Sequence, residues 1–368
     1  MSGSTLNLDL LKITLGPVAP WLGDPDVTDI LVYGPEKVFV KRQGRKPERA
    51  PARWESAEDL MVAAKAIGRH IKRRLDADNP ILDSRLPDGS RVNVIIPPCF
   101  ADGAAVAIRL FTKEKLTAAQ LLEGGSFDPA GAEILRSLVL SGKNILISGG
   151  TGSGKTTLLN VLGAFIPERD IVVTVEDSRE IQLRNELWAP LEAKKAVHEG
   201  EVEVTLRDLV RNSLRMNPRW VIVGEVRGPE ALDLMRAFNT GHSGMGTVHA
   251  NSCDDALGAL ENLILQSGLD IPARAIKEMV ARAIHIVIQV CQYPDESRKI
   301  AEIAEIRGLD YDTSPTFPPY RVNTLYRFEP SGYDTDGRLT GRFTVVGKPS
   351  FLEALSLLKD FEVPEFWR

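Results

Sequence analysis

The sequence predicts an α/β fold, a parallel sheet covered by helices on both faces and preceded by a small α/β domain. Three observations lead there. Over the second part of the chain short apolar runs alternate with helical patterns, the pattern of a parallel sheet with helical crossovers. A glycine-rich loop joins one of those runs to the helix behind it. The 368 residues also exceed the roughly 250 to 300 at which a single core stops growing, so two domains are expected.

From Val27, "VTDILVYGPEKVFVKRQGR" reads as two strands joined at Gly34-Pro35, because apolar residues alternate on either side of a turn signal. A helix follows in "SAEDLMVAAKAIGRHIKRRLDA". Ser56 is its N-cap, Leu60, Ala64, Ile67 and Ile71 recur at helical spacing, and Lys72, Arg73 and Arg74 are expected in its last turn, where cations suit the dipole. "RLPDGSRVNVIIPP" and "GAAVAIRLF" then give two strand-like runs after a Pro-Asp-Gly turn. These elements make an N-terminal domain over residues 1–112. Gly124-Gly125 and Pro129 punctuate a linker expected at 113–130, and residues 131–368 form the larger domain with a C-terminal extension. Within it the strands are "NILIS", "IVVTVE", "WVIVGE", "MGTVHA", "HIVIQV" and "KIAEIAEI". The helices between them are "KTTLLNVLGAF", "LRDLVRNSLRM", "PEALDLMRAFNTG" and "CDDALGALENLILQSG".

Charge narrows the function. With 45 Lys plus Arg against 50 Asp plus Glu the net charge is −5, which argues against a chain devoted to neutralising phosphate backbone, and no nucleic-acid partner is expected. Cys99, Cys253 and Cys291 are far apart and odd in number, which suggests neither a disulfide framework nor a zinc site. No apolar run approaches the roughly 18 residues of a membrane span, and the first residues lack the marks of a signal peptide. A cytoplasmic protein is expected, with peripheral docking to a membrane protein left open.

"GGTGSGKT", Gly149 to Thr156, fits G-x-x-x-x-G-K-[ST] between a strand and a helix. Small residues let successive N–H groups curl inward around phosphates, and the helix N-terminus adds positive potential. Gly149, Gly150, Thr151, Gly152, Ser153, Gly154, Lys155, Thr156 and the following Thr157 are the candidate nucleotide-binding residues. Lys155 would reach the β and γ phosphates, and Thr156 would offer its hydroxyl to Mg2+. ATP and Mg2+ are therefore the expected ligands. Such a site needs carboxylates, yet "WVIVGEVRG" has Gly224 where an aspartate normally stands. Glu225 after that run, and Glu176 at the end of "IVVTVED", are the two candidate acids, since ligands bind at the carboxyl ends of parallel strands. His249, in "TGHSGMGTVHANS", is the candidate phosphate sensor because imidazole can hydrogen-bond a terminal phosphate oxygen. Arg85, Arg91 and Arg109, read alone, are surface charges.

In this order, "SGGTGSGKTTLLN", "TVEDSREIQL", "LRMNPRWVIVGEVRG" and "NTGHSGMGTVHANS" resemble the Walker A, Asp box, atypical Walker B and His box of the type II/type IV secretion ATPases. "ILDSRLPDGSRVNVIIPP", "AIRLF" and "SRKIAEIAEI" resemble the CpaF/TadA branch, which drives tight-adherence pilus assembly, although the His box is one residue shorter than usual in that branch. The resemblance implies a hexameric ring of RecA-like domains, an N-terminal domain closing over the nucleotide, and an inner-membrane platform protein as partner. It implies that Glu225 manages the metal through water and Glu176 is the base, with the reverse division as the alternative, and that Arg85, Arg91 and Arg109 lie over the phosphates. A nucleic-acid translocase and a nucleotide-gated switch with little turnover are the competing readings.

Overall fold

The computed structural model describes residues 12, 13, 15–111, 116–194, 196, 201–359 and 361–368. The chain divides into two compact units, Met1–Glu114 and Lys115–Arg368.

The first unit is built on an antiparallel sheet of β1 (Val27–Tyr33), β2 (Val38–Arg42), β3 (Glu48–Arg49), β4 (Ile81–Arg85), β5 (Arg91–Ile95) and β6 (Ala105–Arg109). The strands lie in the order β3-β2-β1-β6-β5-β4. Val92, Val94, Val106 and Ile108 are buried at every second position, as the pleat requires when one face is covered. They share a core cluster with Leu60, Ala64 and Ile67 of the helix Ala57–His70. Ser56 caps that helix by accepting from Asp59 N. The helix stops at His70 rather than running through the basic triplet, because Arg73 N donates to Gly68 O at 2.7 Å and Lys72 takes a left-handed φ of 56°. The chain can fold back there because residue 68 has no Cβ: one would stand 2.9 Å from the Arg73 carbonyl.

The second unit holds β7 (Ile145–Gly149), β8 (Val172–Glu176), β9 (Trp188–Glu192), β10 (Trp220–Val223), β11 (Ser243–Val248), β12 (Ile286–Gln292), β13 (Arg298–Leu309), β14 (Tyr320–Tyr333) and β15 (Leu339–Val345). Their order is β15-β14-β13-β12-β7-β11-β10-β8-β9. Pairing is parallel from β12 across to β9 and antiparallel from β12 out to β15. Every residue of β7, β8 and β10 is buried, which explains why these strands read as continuous apolar runs instead of alternating ones. One face packs Leu146, Val173 and Val221 with the helices Leu206–Ser213, Glu230–Asn239, Cys253–Leu265 and Ala273–Ala283. The other packs Ile147, Ile222 and Met245 with the helices Pro129–Leu140 and Lys155–Gly163.

The stretch expected as a linker instead carries structure. Thr117 and Gln120 form a capping box that starts the helix Ala118–Glu123, an arrangement that satisfies orphan N–H donors. Asp128 caps Pro129–Leu140 and accepts from Tyr326 Oη at 2.8 Å, which ties this helix to β14.

Beside β7, Asn144 N donates to His285 Nδ1 at 3.0 Å, so this ring must be neutral at Nδ1. Burial, with the Lys143 charge, lowers the His285 pKa to about 4, against an opposing pull from Glu305. The unfolded ring titrates near 6.5, so the unfolded chain binds the extra proton first. Stability from this site is therefore complete above about pH 6.5 and lost as the pH falls toward about 4. Hydrogen exchange of β7 and β12 amides should show protection weakening by about 1–3 kcal/mol over that window, and His285→Asn should flatten the dependence. An unchanged pH profile in the variant would assign the acid sensitivity to other groups.

Candidate active site

The loop after β7 closes tightly because three of its positions exclude a side chain or take a left-handed backbone. A Cβ on Gly149 would stand 2.4 Å from Val290 O, and Gly152 and Gly154 have φ of 77° and 99°, a region that glycine enters without penalty. Gly154 then leads into the helix Lys155–Gly163, which places Thr156 and Thr157 in its first turn. The Lys155 ammonium donates to Gly149 O and Gly150 O, each at 2.9 Å, and lies 3.3 Å from His249 Nδ1.

An ammonium only donates, so Nδ1 of His249 accepts and the ring proton sits on Nε2. That Nε2 is 2.7 Å from Glu225 Oε1. Lys155, His249 and Glu225 thus form one hydrogen-bonded chain from the loop to the ends of β10 and β11. Burial lowers the Lys155 pKa, and the Glu225 charge works against that shift.

Gly224 stands beside Glu176. A Cβ on Gly224 would stand 3.0 Å from Glu176 Cγ, so the missing carboxylate of β10 is the space that the β8 glutamate occupies. Glu176 is 3% exposed, and its Oε1 accepts from Glu180 N at 2.8 Å and Ile181 N at 2.9 Å. Its carboxylate shapes the turn after β8, whereas the Glu225 side chain is 37% exposed at the mouth. Past Glu225 the loop is fixed as well. Glu230 accepts from Arg227 N and Gly228 N, each at 2.8 Å, and Arg227 pairs with Asp177.

The two histidines of the glycine-rich segment part company. His242 precedes β11 and its Nδ1 lies 3.0 Å from Pro218 O, while His249 follows the strand. Arg85, Arg91 and Arg109 belong to the first unit, where Arg85 pairs with Arg91 and Arg91 with Arg109 across β4, β5 and β6. Cross-strand partners share a face, so these residues form one cationic row, with Asp29 3.2 Å from Arg109 Nε at its end. Sequence reasoning missed Arg298, whose Nε donates to Gly152 O at 2.8 Å. It lies inside "SRKIAEIAEI", but nothing in that stretch points to the loop, to which only the β12–β13 turn brings it.

Among the described residues no group of three His, Cys, Asp or Glu could hold a metal ion. The oxygen donors present, the Thr156 hydroxyl and the half-exposed Glu225, fit Mg2+, which keeps several of its waters and takes few protein ligands.

Comparison with known proteins gives relatives along most of the chain. The profile of the family described as "Type II/IV secretion system protein" matches residues 12–316. A putative conjugal transfer protein of Mycobacterium tuberculosis is 36% identical over 315 residues, covering 83% of this chain and 88% of the relative. The type IV secretion system protein PtlH of Bordetella pertussis is 33% identical over 303 residues, covering 74% and 87%. Among solved structures, the Legionella pneumophila ATPase DotB has a similar fold, with a TM-score of 0.56 at 20% identity over 78% of this chain and 79% of its own.

The link between Lys155 and Glu225 can be measured directly. Because the carboxylate opposes the effect of burial, Glu225→Gln should move the titration midpoint of the Lys155 13Cε resonance further down. A midpoint that stays in place would show that the Glu225 charge does not reach the ammonium.

Proposed function

The chain belongs to the type II/IV secretion system protein family, and from that premise we propose that it is a motor ATPase that hydrolyses Mg-ATP to drive pilus assembly or secretion. The observation that carries this reading is the hydrogen-bonded chain Lys155–His249–Glu225 at the mouth of the phosphate loop. Backbone N–H groups of the loop and Lys155 bind the phosphates. Thr156 and Glu225 are the residues that would hold Mg2+, Glu225 through water. When bound, Mg2+ neutralises charge on the phosphate oxygens.

The two acids divide the work according to their surroundings. Glu225, on the same hydrogen-bonded chain as Lys155, orients the attacking water and accepts its proton as the oxygen bonds to the γ phosphorus and the bond to the bridging oxygen breaks. ADP and phosphate leave. His249 holds Glu225 through its Nε2–H and would sense a γ phosphate by passing that hydrogen bond to a phosphate oxygen. Glu176 is a positioning residue, because its buried carboxylate is engaged by two backbone N–H groups. This assignment moves the base from Glu176, where the family resemblance puts it, to Glu225.

In this reading the protein works in the cytoplasm as a hexamer on an inner-membrane platform protein. The upstream and downstream motifs favour the tight-adherence pilus branch. Among the described residues no helix is long and apolar enough to cross a membrane.

Phosphate release and calorimetry on the full chain test the proposal. Lys155→Ala should abolish turnover and weaken ATP binding. Glu225→Gln should cut turnover roughly a hundredfold or more with ATP still bound. Glu176→Gln should cut it by a smaller factor, and Arg109→Ala asks whether the arginine row takes part in turnover. Wild-type turnover in Lys155→Ala would remove the loop from the mechanism, and a larger loss in Glu176→Gln than in Glu225→Gln would restore the reverse division of labour. Light scattering with nucleotide should give the mass of six chains.

A further inference from the structure

A loop of glycines needs restraint from outside itself. Gly150, Gly152 and Gly154 leave the stretch after β7 with little steric restraint, and a loose loop must be ordered each time it closes on an anion. Two cations share its carbonyls. Lys155 takes Gly149 O and Gly150 O, and Arg298, the first residue of β13, takes Gly152 O with its Nε at 2.8 Å. A Cβ on Gly154 would stand 3.3 Å from Arg298 Cδ, so the aliphatic stem of this arginine also lies along the last position before the helix Lys155–Gly163.

The bond to Gly152 O has a directional consequence. In a planar trans peptide the carbonyl and the N–H point opposite ways. With Gly152 O turned to the guanidinium, the N–H of Ser153 points across the loop, where it donates to Gly150 O at 3.4 Å. That bond is long, and a phosphate oxygen can take the donor over. If the same peptide turned over, its carbonyl would face the anion, and glycine at 152 sets no steric bar to that flip. A charged donor on the carbonyl opposes it, since hydrogen bonds with an ionised partner are roughly twice as strong as neutral ones. Arg298 is itself fixed. Within its turn Tyr293 N donates to Ser297 O and Glu296 N to Tyr293 O, each at 2.9 Å. Asp295 accepts from Ser297 N at 3.1 Å and, with its other oxygen, from Leu339 N at the start of β15 at 2.8 Å. Gln292, the β12 partner of Arg298, donates from Nε2 to Glu296 Oε2 at 2.6 Å.

We propose that Arg298 is a positioning residue for phosphate binding: by holding Gly152 O it keeps the Ser153 N–H turned to where the phosphates of the nucleotide lie. The inference rests on the nucleotide-binding reading above. It adds to that site a residue 146 positions away from the loop it serves.

Calorimetry on the full chain tests this with Mg-ATP and with Mg-tripolyphosphate, which carries the phosphates alone. Arg298→Met, of similar length but without a donor, should bind each ligand about tenfold more weakly than wild type, with the unfolding midpoint in the absence of ligand unchanged. Arg298→Lys, which can still donate to one carbonyl, should recover part of the loss. In the steady state Arg298→Met should raise the KM for Mg-ATP about tenfold and lower kcat less than about threefold. Arg298→Ala should regain tripolyphosphate affinity when guanidinium chloride is added at a concentration too low to unfold the chain, and should not regain it with sodium chloride at the same concentration. Wild-type tripolyphosphate affinity in Arg298→Met would overturn this inference and leave the nucleotide-binding reading intact. A loss that comes with a lowered unfolding midpoint and no rescue by guanidinium would overturn it too, because the arginine would then be structural. If wild type binds neither ligand, the nucleotide-binding reading falls and this inference with it.

Discussion

Residue 149 can carry no side chain. The carbonyl of Val290, on the adjacent parallel strand, lies 2.4 Å from where a Cβ would stand, and Ser153 Oγ lies 2.5 Å from it. This exclusion lets β7 leave the sheet straight into a loop tight enough to turn its N–H groups inward. Because β7 has parallel neighbours on both sides, the carboxyl ends of β8, β10, β11 and β12 all reach the same edge as the loop. The placement of the acids, His249 and the amides of β12 follows from that one crowded position.

The next constraint is a trade of volume between strands. β8 ends in a glutamate, and β10 gives up its side chain at Gly224 to admit it. The acid displaced from β10 reappears one residue later as Glu225, outside the strand and in reach of His249. Two carboxylates are thereby kept in different surroundings. One is buried and accepts backbone N–H groups, and the other is half-exposed and attached to an imidazole. Different surroundings suit acids to different tasks.

The sequence makes the local features legible. The glycine loop, the buried strands and the Ser56 cap are written in consecutive residues, and all are where the pattern places them. What it hides depends on pairing. β4 buries only Leu82 among its five residues, too little for a period to show. β9 carries no fully buried residue at all. The helix Ala118–Glu123 is short and likewise buries none, so its glycine-rich surroundings read as a linker. His242 and His249 are seven positions apart on either side of a glycine-rich run. A six-residue strand separates them to opposite ends of the sheet. Arg298 comes to the loop from 146 residues away, a contact that no window of sequence can contain.

The C-terminal strands are not a mere extension. Successive residues of a strand point to opposite faces, and β13 uses this at its first two positions. Arg298 reaches Gly152 O on the phosphate loop. Lys299, 9% exposed, donates to Gly125 O at 2.9 Å and lies over the Phe328 ring, and burial lowers its pKa. Ile300 N adds a bond to Ser126 O. The start of β13 is thereby joined both to the glycine-rich loop after β7 and to the segment through which the chain enters the second unit. Two adjacent residues of one strand thus hold both the loop and that segment. Farther along, Glu305 is 3% exposed and accepts from Asn323 Nδ2 at 2.9 Å and Ser350 N at 3.1 Å. These bonds secure β13 to β14 and to the chain beyond β15.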